Sequence, residues 1–426
     1  MIKLLTQKKH ANFMRLWLAQ LISQFGDRIH QMALVGLITE RVGVSATNLA
    51  MIMAFTILPV FVVQPIAGVF IDRWDRKITL FICDIARGLL VILIPLVFIY
   101  WKAIFPIYII VFLSFSFSRF HVPAKMSIIP DVVDEDNLIS ANSLITTTGM
   151  IASVLGLGLG GLLIEKLGSR NGFFVDALTF FLSGSLIATI VIPKKLKIQP
   201  TVIFEKSKEI VGTIRKTFWQ EFSEGFKYLF EHKELRLVVN VFFILLSAVG
   251  AMYVVSIVFI QEAFKSTTMH LGSIAVSLCV GLFLGVMIYG KWGKPDEWHK
   301  TIFSCLTAGG VALVAFAVTV QNYPNIWAAM FLSMILGMVV GPIFVASYTM
   351  VHVLCDESMR GKVFSYLEIV IHLAFLISML ISSALAKYVD GVYILVAVGI
   401  IFAIIGLLGF IKVKSYKVDL PGGDVA

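Results

Sequence analysis

"GVFIDRWDRK", Gly68 to Lys77, packs five charged residues into ten positions between two long apolar runs. Charge that dense needs a reason, because of 426 residues 58% are hydrophobic and only 14% are charged. An ordinary soluble domain carries about 25% charge, so a water-soluble fold of this composition could not cover its own surface. Lipid is therefore the solvent for most of the chain. Each flanking run has the roughly 20 residues that span a hydrocarbon core, which makes the stretch a turn between two spanning segments.

Working outward, twelve such segments are predicted at residues 12–38, 46–70, 79–100, 104–124, 140–164, 171–193, 236–261, 270–290, 301–321, 325–352, 363–386 and 391–411. The expectation is an all-α membrane protein of twelve transmembrane helices in two six-helix halves, as in transporters built from repeats. The predicted divisions are an N-terminal half at 1–193, a linker at 194–235, a C-terminal half at 236–411 and a tail at 412–426. The fifth and tenth segments are rich enough in Gly to kink. In the linker, Phe218, Phe222, Phe226 and Phe230 recur at four-residue spacing, which predicts an amphipathic helix lying on the membrane surface or against the bundle.

Net charge is +9, but the basic residues sit in short stretches between segments and assemble no face for nucleic acid. One side holds Lys3, Lys8, Lys9 and Arg15, then Arg73, Arg76 and Lys77, then Arg119 and Lys125, and nearly all of the later Lys and Arg. The other side holds only Arg41, Lys102, Lys166, Arg170, Lys265 and Lys387. Excess Lys and Arg mark cytoplasmic loops, so both termini and the linker are expected in the cytoplasm and the chain in the cell (inner) membrane. The basic start "MIKLLTQKKHAN" is followed by an apolar run too long for a signal-peptide core. Cys83, Cys279, Cys305 and Cys355 are widely spaced, with no CxxC, so neither disulfides nor a metal site is expected. No nucleophile stands beside a base and no Gly-rich phosphate loop occurs, so neither an enzyme nor a cofactor is expected.

In this setting Gly68, Asp72, Arg73, Arg76 and Lys77 resemble the signature loop G-x-x-x-D-R-x-G-R-[RK] of the major facilitator superfamily, with Asp75 standing where the general pattern has Gly. The variant D-R-[WF]-[DN]-R-[RK] resembles one branch, the macrolide-efflux and enterobactin-exporter type permeases. Further stretches resemble that branch: "LWLAQLISQFGDRIHQMAL", "CDIARGLL" with Asp84 and Arg87, "VPAKMSIIPDVVDEDNLISANSL", and "RGKVFS" from Arg360. The resemblance implies a cytoplasmic gating latch made of Gly68, Asp72, Arg73, Arg76, Lys77, Arg360 and Gly361. Asp72 could cap the helix that opens at Gly361 to Ser365, and Arg73 and Arg76 could pair with Asp131, Asp134 or Glu357. The plainer alternative is a turn that only fixes topology. Between the eighth and ninth segments, "GKWGKPDEWHK" lacks the Asp-Arg pair, so the repeat is degenerate. "ASVLGLGLGGLL" resembles the antiporter motif G-x-x-x-G-P-x-x-G-G through Gly156, Gly160 and Gly161, without the Pro; close helix packing accounts for it equally.

Charge at the centre of a spanning helix costs about 2.5 to 3.5 kcal/mol on insertion scales, so each one is a site hypothesis. Asp27 and Arg28 fall mid-segment, with His30 as the expected hydrogen-bond partner of Asp27. Asp27 reads as a protonation site or a contact for a cationic group, or as a partner of a basic residue on another helix. Asp84 and Arg87, at i,i+3, are expected to pair with each other. Glu368 and His372, at i,i+4, read as a hydrogen-bonded pair or as part of proton coupling. Asp176 is expected near the outer interface.

The resemblance implies a secondary transporter, a monomer that exports a small amphipathic molecule such as a drug, macrolide or siderophore-like compound by alternating access, coupled to protons across the lipid bilayer. Two alternatives stand beside it. One is a lysophospholipid flippase of the same superfamily, to which "FGD" and "PAK" are also similar; the other is a non-transporting membrane sensor or scaffold.

Overall fold

The computed structural model describes residues 11–71, 74–100, 104–134, 137–191, 227, 231–293, 297–355 and 359–413. Over these residues the chain is helical: α1 (Ala11–Val42), α2 (Ala46–Val62), α3 (Gln64–Ile71), α4 (Arg76–Tyr100), α5 (Phe105–Val132), α6 (Leu138–Leu167) and α7 (Ser169–Ala188). After the linker come α8 (Lys233–Phe264), α9 (Met269–Trp292), α10 (Trp298–Asn322), α11 (Ile326–Leu354), α12 (Arg360–Leu385) and α13 (Gly391–Val413). Among the described residues ten helices are long and apolar enough to cross a membrane. α1 has the length but carries Arg15, Asp27, Arg28, Glu40 and Arg41, and α2 with α3 makes the remaining span. The twelve expected spans are therefore present.

Two boundaries differ from expectation. The second span breaks at Val63, because Pro65 brings no N–H to the helical ladder; the chain bridges the gap with Val63 N–H to Pro59 O and Ala67 N–H to Val63 O, both 2.9 Å. α5 runs on to Val132, past the predicted end at 124, with Pro123 and Pro130 inside it. The linker stripe at Phe218 to Phe230 lies outside the described residues.

The chain forms two compact units, one of Met1–Gly43, Met51–Glu221 and Thr267–Gly272, the other of Val44–Ala50, Phe222–Ser266 and Ser273–Ala426. In the first, α1 packs on α6 and α7, and α4 on α5 and α7. In the second, α8 packs on α12 and α13, and α10 on α11 and α13. The same four pairings thus recur six spans later, the mark of a structural repeat.

Each unit has its own apolar core, around Phe13, Leu16, Leu80, Ile128 and Ile187 in the first and Phe242, Trp298, Ile302, Ile343 and Leu367 in the second. The outward faces are apolar too: Leu89, Leu93 and Ile99 on α4, and Ile400, Ile404, Leu407 and Ile411 on α13, are all exposed. A helix greasy outside and polar inside is what a lipid solvent selects. The polar interior differs between units. Among the described residues, the buried Asp and Arg side chains, Asp84, Arg87 and Asp176, all belong to the first, whereas the buried polar groups of the second are Ser, Gln and His.

Candidate functional site

The site begins on α1, where Asp27 and Arg28 fall near mid-helix. Arg87 on α4 reaches across and donates its Nη2–H to Asp27 Oδ1. The Arg87 side chain is 5% exposed and that of Asp27 is 34% exposed, so this pair has one desolvated and one accessible end. Phe180 of α7 lies under the guanidinium, 4.0 Å from ring centre to Cζ, a cation–π contact that holds the arginine in place. The expected Asp84–Arg87 pair is not formed. Although i,i+3 neighbours share a helix face, the two side chains lean toward different helices. Asp84, fully buried, accepts the Ser183 hydroxyl of α7 at 2.6 Å and stands 3.3 Å from His121 Nε2 of α5.

His30 also differs from expectation. Its Nδ1 meets Asp176 Oδ2 at 2.9 Å, with both side chains buried, and its ring packs edge-on to Phe173 at 5.4 Å. Asp27 is therefore not its partner, and Asp176 is fully buried against it. Gly26 makes room for this contact: a Cβ there would collide with the Thr179 hydroxyl and the Asp176 carboxylate. Arg28 points elsewhere, donating to Gln31 Oε1 at 3.0 Å.

The glycine stripe of α6 is a packing surface. A Cβ on Gly156 would stand 2.8 Å from Arg28 Cβ and 3.1 Å from Phe25 O, and one on Gly160 would stand 3.3 Å from Ile29 Cα. These two residues set the distance between α6 and the stretch of α1 that carries Asp27. Gly161 turns the other way, toward Gly272 Cα at 3.0 Å, in the segment Thr267–Gly272 of the same unit.

At the opening loop, Arg76 donates to Asp131 Oδ2 and to Ser127 O, both at 2.8 Å. Asp75, which departs from the general family pattern, accepts the Ile78 N–H at 2.9 Å and so caps the first turn of α4. Lys77 is half-buried in that turn, and Gly68 lies within α3. Asp72, Arg73 and Glu357 lie outside the described residues, and Arg360 and Gly361 are described only as the first turn of α12. On α12, His372 Nδ1 bonds the main-chain carbonyl of Glu368 at 2.8 Å, so the expected imidazole–carboxylate bond is replaced by one to backbone.

The structure adds residues that sequence reasoning missed. His121 and Ser183, from two different helices, meet at Asp84, and Gln20 of a third stands 3.5 Å from His121 Nε2. A lone histidine in the apolar run "SFSRFHVPAK" was the available signal, since a polar ring inside a membrane needs a partner.

Comparison with known proteins agrees with this architecture. Residues 16–309 and 257–422 match the family model of the Major Facilitator Superfamily. The uncharacterised MFS-type transporter YkuC of Bacillus subtilis is 27% identical, over 96% of this chain and 94% of its own length. Macrolide efflux protein A of Streptococcus pyogenes is 23% identical over 73% of this chain and 74% of its own. A crystal structure of a bacterial homologue of the iron transporter ferroportin superposes with a TM-score of 0.70 at 14% identity, over 94% of this chain and 98% of that one; at that identity the likeness is one of fold. Twelve helical spans, a repeated packing scheme and a family model that covers nearly the whole chain lead to one conclusion: this protein belongs to the major facilitator superfamily of membrane transporters and is not an enzyme.

Proposed function

We propose that this transporter exports an amphipathic small molecule from the cell by alternating access, in exchange for protons, with Asp27 in the coupling site. The observation that carries the reading is the Asp27–Arg87 pair: a carboxylate at mid-helix, 34% exposed, whose arginine is 5% exposed. A partly accessible carboxylate can take up a proton or a cationic group and, in doing so, free a buried arginine, which is the kind of two-state element transport requires. The name of macrolide efflux protein A, at 23% identity, supports export and an amphipathic substrate class. The Arg76–Asp131 pair supports a gating role for the Gly68–Lys77 loop together with Arg360 and Gly361. The Lys and Arg bias supports a protein of the cell (inner) membrane with cytoplasmic termini.

The test uses purified protein in proteoliposomes, scanned with macrolides, dyes, siderophores and labelled lysophospholipids, with and without an imposed pH gradient. Gradient-driven movement of a soluble compound, lost in Asp27→Asn, is the expected result. Movement of lysolipid that ignores the gradient would make the protein a flippase and Asp27 a headgroup contact. Movement of nothing in the panel, in either condition, would refute the proposal.

A further inference from the structure

Asp84 is fully buried. Its Oδ2 accepts from Ser183, but its Oδ1 has no hydrogen-bond partner and faces His121 Nε2 at 3.3 Å. An ionised Oδ1 opposite a bare imidazole nitrogen would set lone pair against lone pair in a dry interior. A proton on oxygen removes the conflict by making Asp84 a neutral acid, whereas the Nε2–H tautomer of a neutral His121 removes it but leaves a charged carboxylate in a dry interior. Gln20 stands 3.5 Å from the same nitrogen, and its amide can offer N–H₂ to a bare Nε2 or, after a half-turn, its oxygen to a protonated one. The surroundings therefore tolerate both locations of the proton.

The nearest arginine does not neutralise Asp84. Arg87, three residues along α4, is turned to Asp27, and its buried Nε makes no hydrogen bond. At i,i+3 spacing a change of rotamer would bring its guanidinium to Asp84. Of the other charges on these helices, Lys125 interacts with Asp27, Arg119 reaches Gln64 at 3.5 Å, and Asp176 is held by His30.

We propose that Asp84 and His121 form a proton-binding site, and that Arg87 links it to Asp27. With Arg87 on Asp27, the Asp84–His121 pair holds one proton beyond the ring proton of neutral His121. A cationic group or a proton arriving at Asp27 releases Arg87, which swings to Asp84; the pair gives up one proton, leaving Asp84 ionised, with the guanidinium beside it and His121 as its neutral Nε2–H tautomer facing Oδ1. One occupant at Asp27 is thus exchanged for one proton at Asp84–His121. The coupling consequence rests on the proton-exchange reading above, whereas the proton site itself does not.

Infrared pH-difference spectra of the full-length protein in proteoliposomes test the site without substrate or gradient. In wild type, a carboxylic-acid band and an imidazole band should titrate together. Asp84→Asn should abolish the first and His121→Gln the second, and Asp27→Asn, which frees Arg87, should weaken the acid band at least fivefold at the same pH. Bands that survive in Asp84→Asn and His121→Gln, or an acid band unchanged in Asp27→Asn, would overturn the proposal. If Asp84→Asn does not fold, Ser183→Ala decides, because stripping the donor from Oδ2 must move the acid band in frequency; an unmoved band overturns the site. Failure of wild-type transport would sink the export reading alone, and absence of these bands would sink this site alone.

Discussion

Replacing Gly156 by Ala tests the claim that the glycine stripe of α6 positions the charged stretch of α1. The added Cβ would lie 2.8 Å from Arg28 Cβ and 3.1 Å from Phe25 O, whereas carbons in contact settle near 3.5 to 4.0 Å, so the helices must part by about 1 Å. Overpacking of this kind costs about 1 to 3 kcal/mol. It is partly offset by the better helix propensity of Ala, worth about 1 kcal/mol. The net expectation is a loss of about 1 kcal/mol, taking the middle of both ranges. Gly309→Ala in α10 is the control, because its Cβ would meet nothing closer than Val340 Cγ2 at 3.8 Å. There only the propensity gain of up to about 1 kcal/mol remains. For a six-helix unit of this size, each kcal/mol moves the melting temperature by about 2 to 4 °C. Thermal melts of the two variants in lipid nanodiscs should therefore fall on opposite sides of wild type. A Gly156→Ala melt at or above wild type, or a Gly309→Ala melt lowered equally, would refute the packing argument. The same displacement shifts the stretch of α1 that carries Asp27 relative to Arg87 on α4, so Gly156→Ala should also slow transport, and Gly309→Ala should not.

Other expectations follow from individual contacts. Asp75→Ala removes the acceptor for the Ile78 N–H and should destabilise by about 0.5 to 2 kcal/mol, whereas Asp75→Gly, the residue of the general family pattern, should cost only a few tenths relative to Asp; comparing the two melts checks it. The Arg76 and Asp131 side chains are 40% and 34% exposed, so Asp131→Asn should change stability by less than about 1 kcal/mol, and a drop in transport rate well beyond that small loss would mark a gating role. A reporter active only in the cytoplasm, fused after Ala426, should be active; silence there would reverse the topology.

Much of the fold was legible because membrane solvation writes itself into composition: twelve apolar runs of spanning length become twelve helical spans, since backbone polar groups in lipid must bond within the helix. The break at Val63 was written in Pro65, but apolarity masked it, because a greasy run reads as continuous whether or not its hydrogen-bond ladder is. The site was legible only as a set of residues. Asp27, Arg28, Asp84 and Arg87 announced themselves as charges in lipid, and their partners did not follow. Spacing along one helix suggested Asp84 with Arg87 and Glu368 with His372, yet Arg87 went to Asp27, Asp84 to Ser183 and His121, and His372 to a backbone carbonyl.

The sequence by itself determined the solvent, the number of spans and which residues must pay for being charged in lipid, because each of these depends on the composition of a segment alone; the family showed through the resemblance of its motifs. Only the tertiary structure decided who neutralises whom. A side chain on a buried helix has neighbours on its own helix and on every helix packed against it. Which of them it bonds is set by interhelical distance, and at Gly26, Gly156 and Gly160 that distance is set by the absence of a side chain.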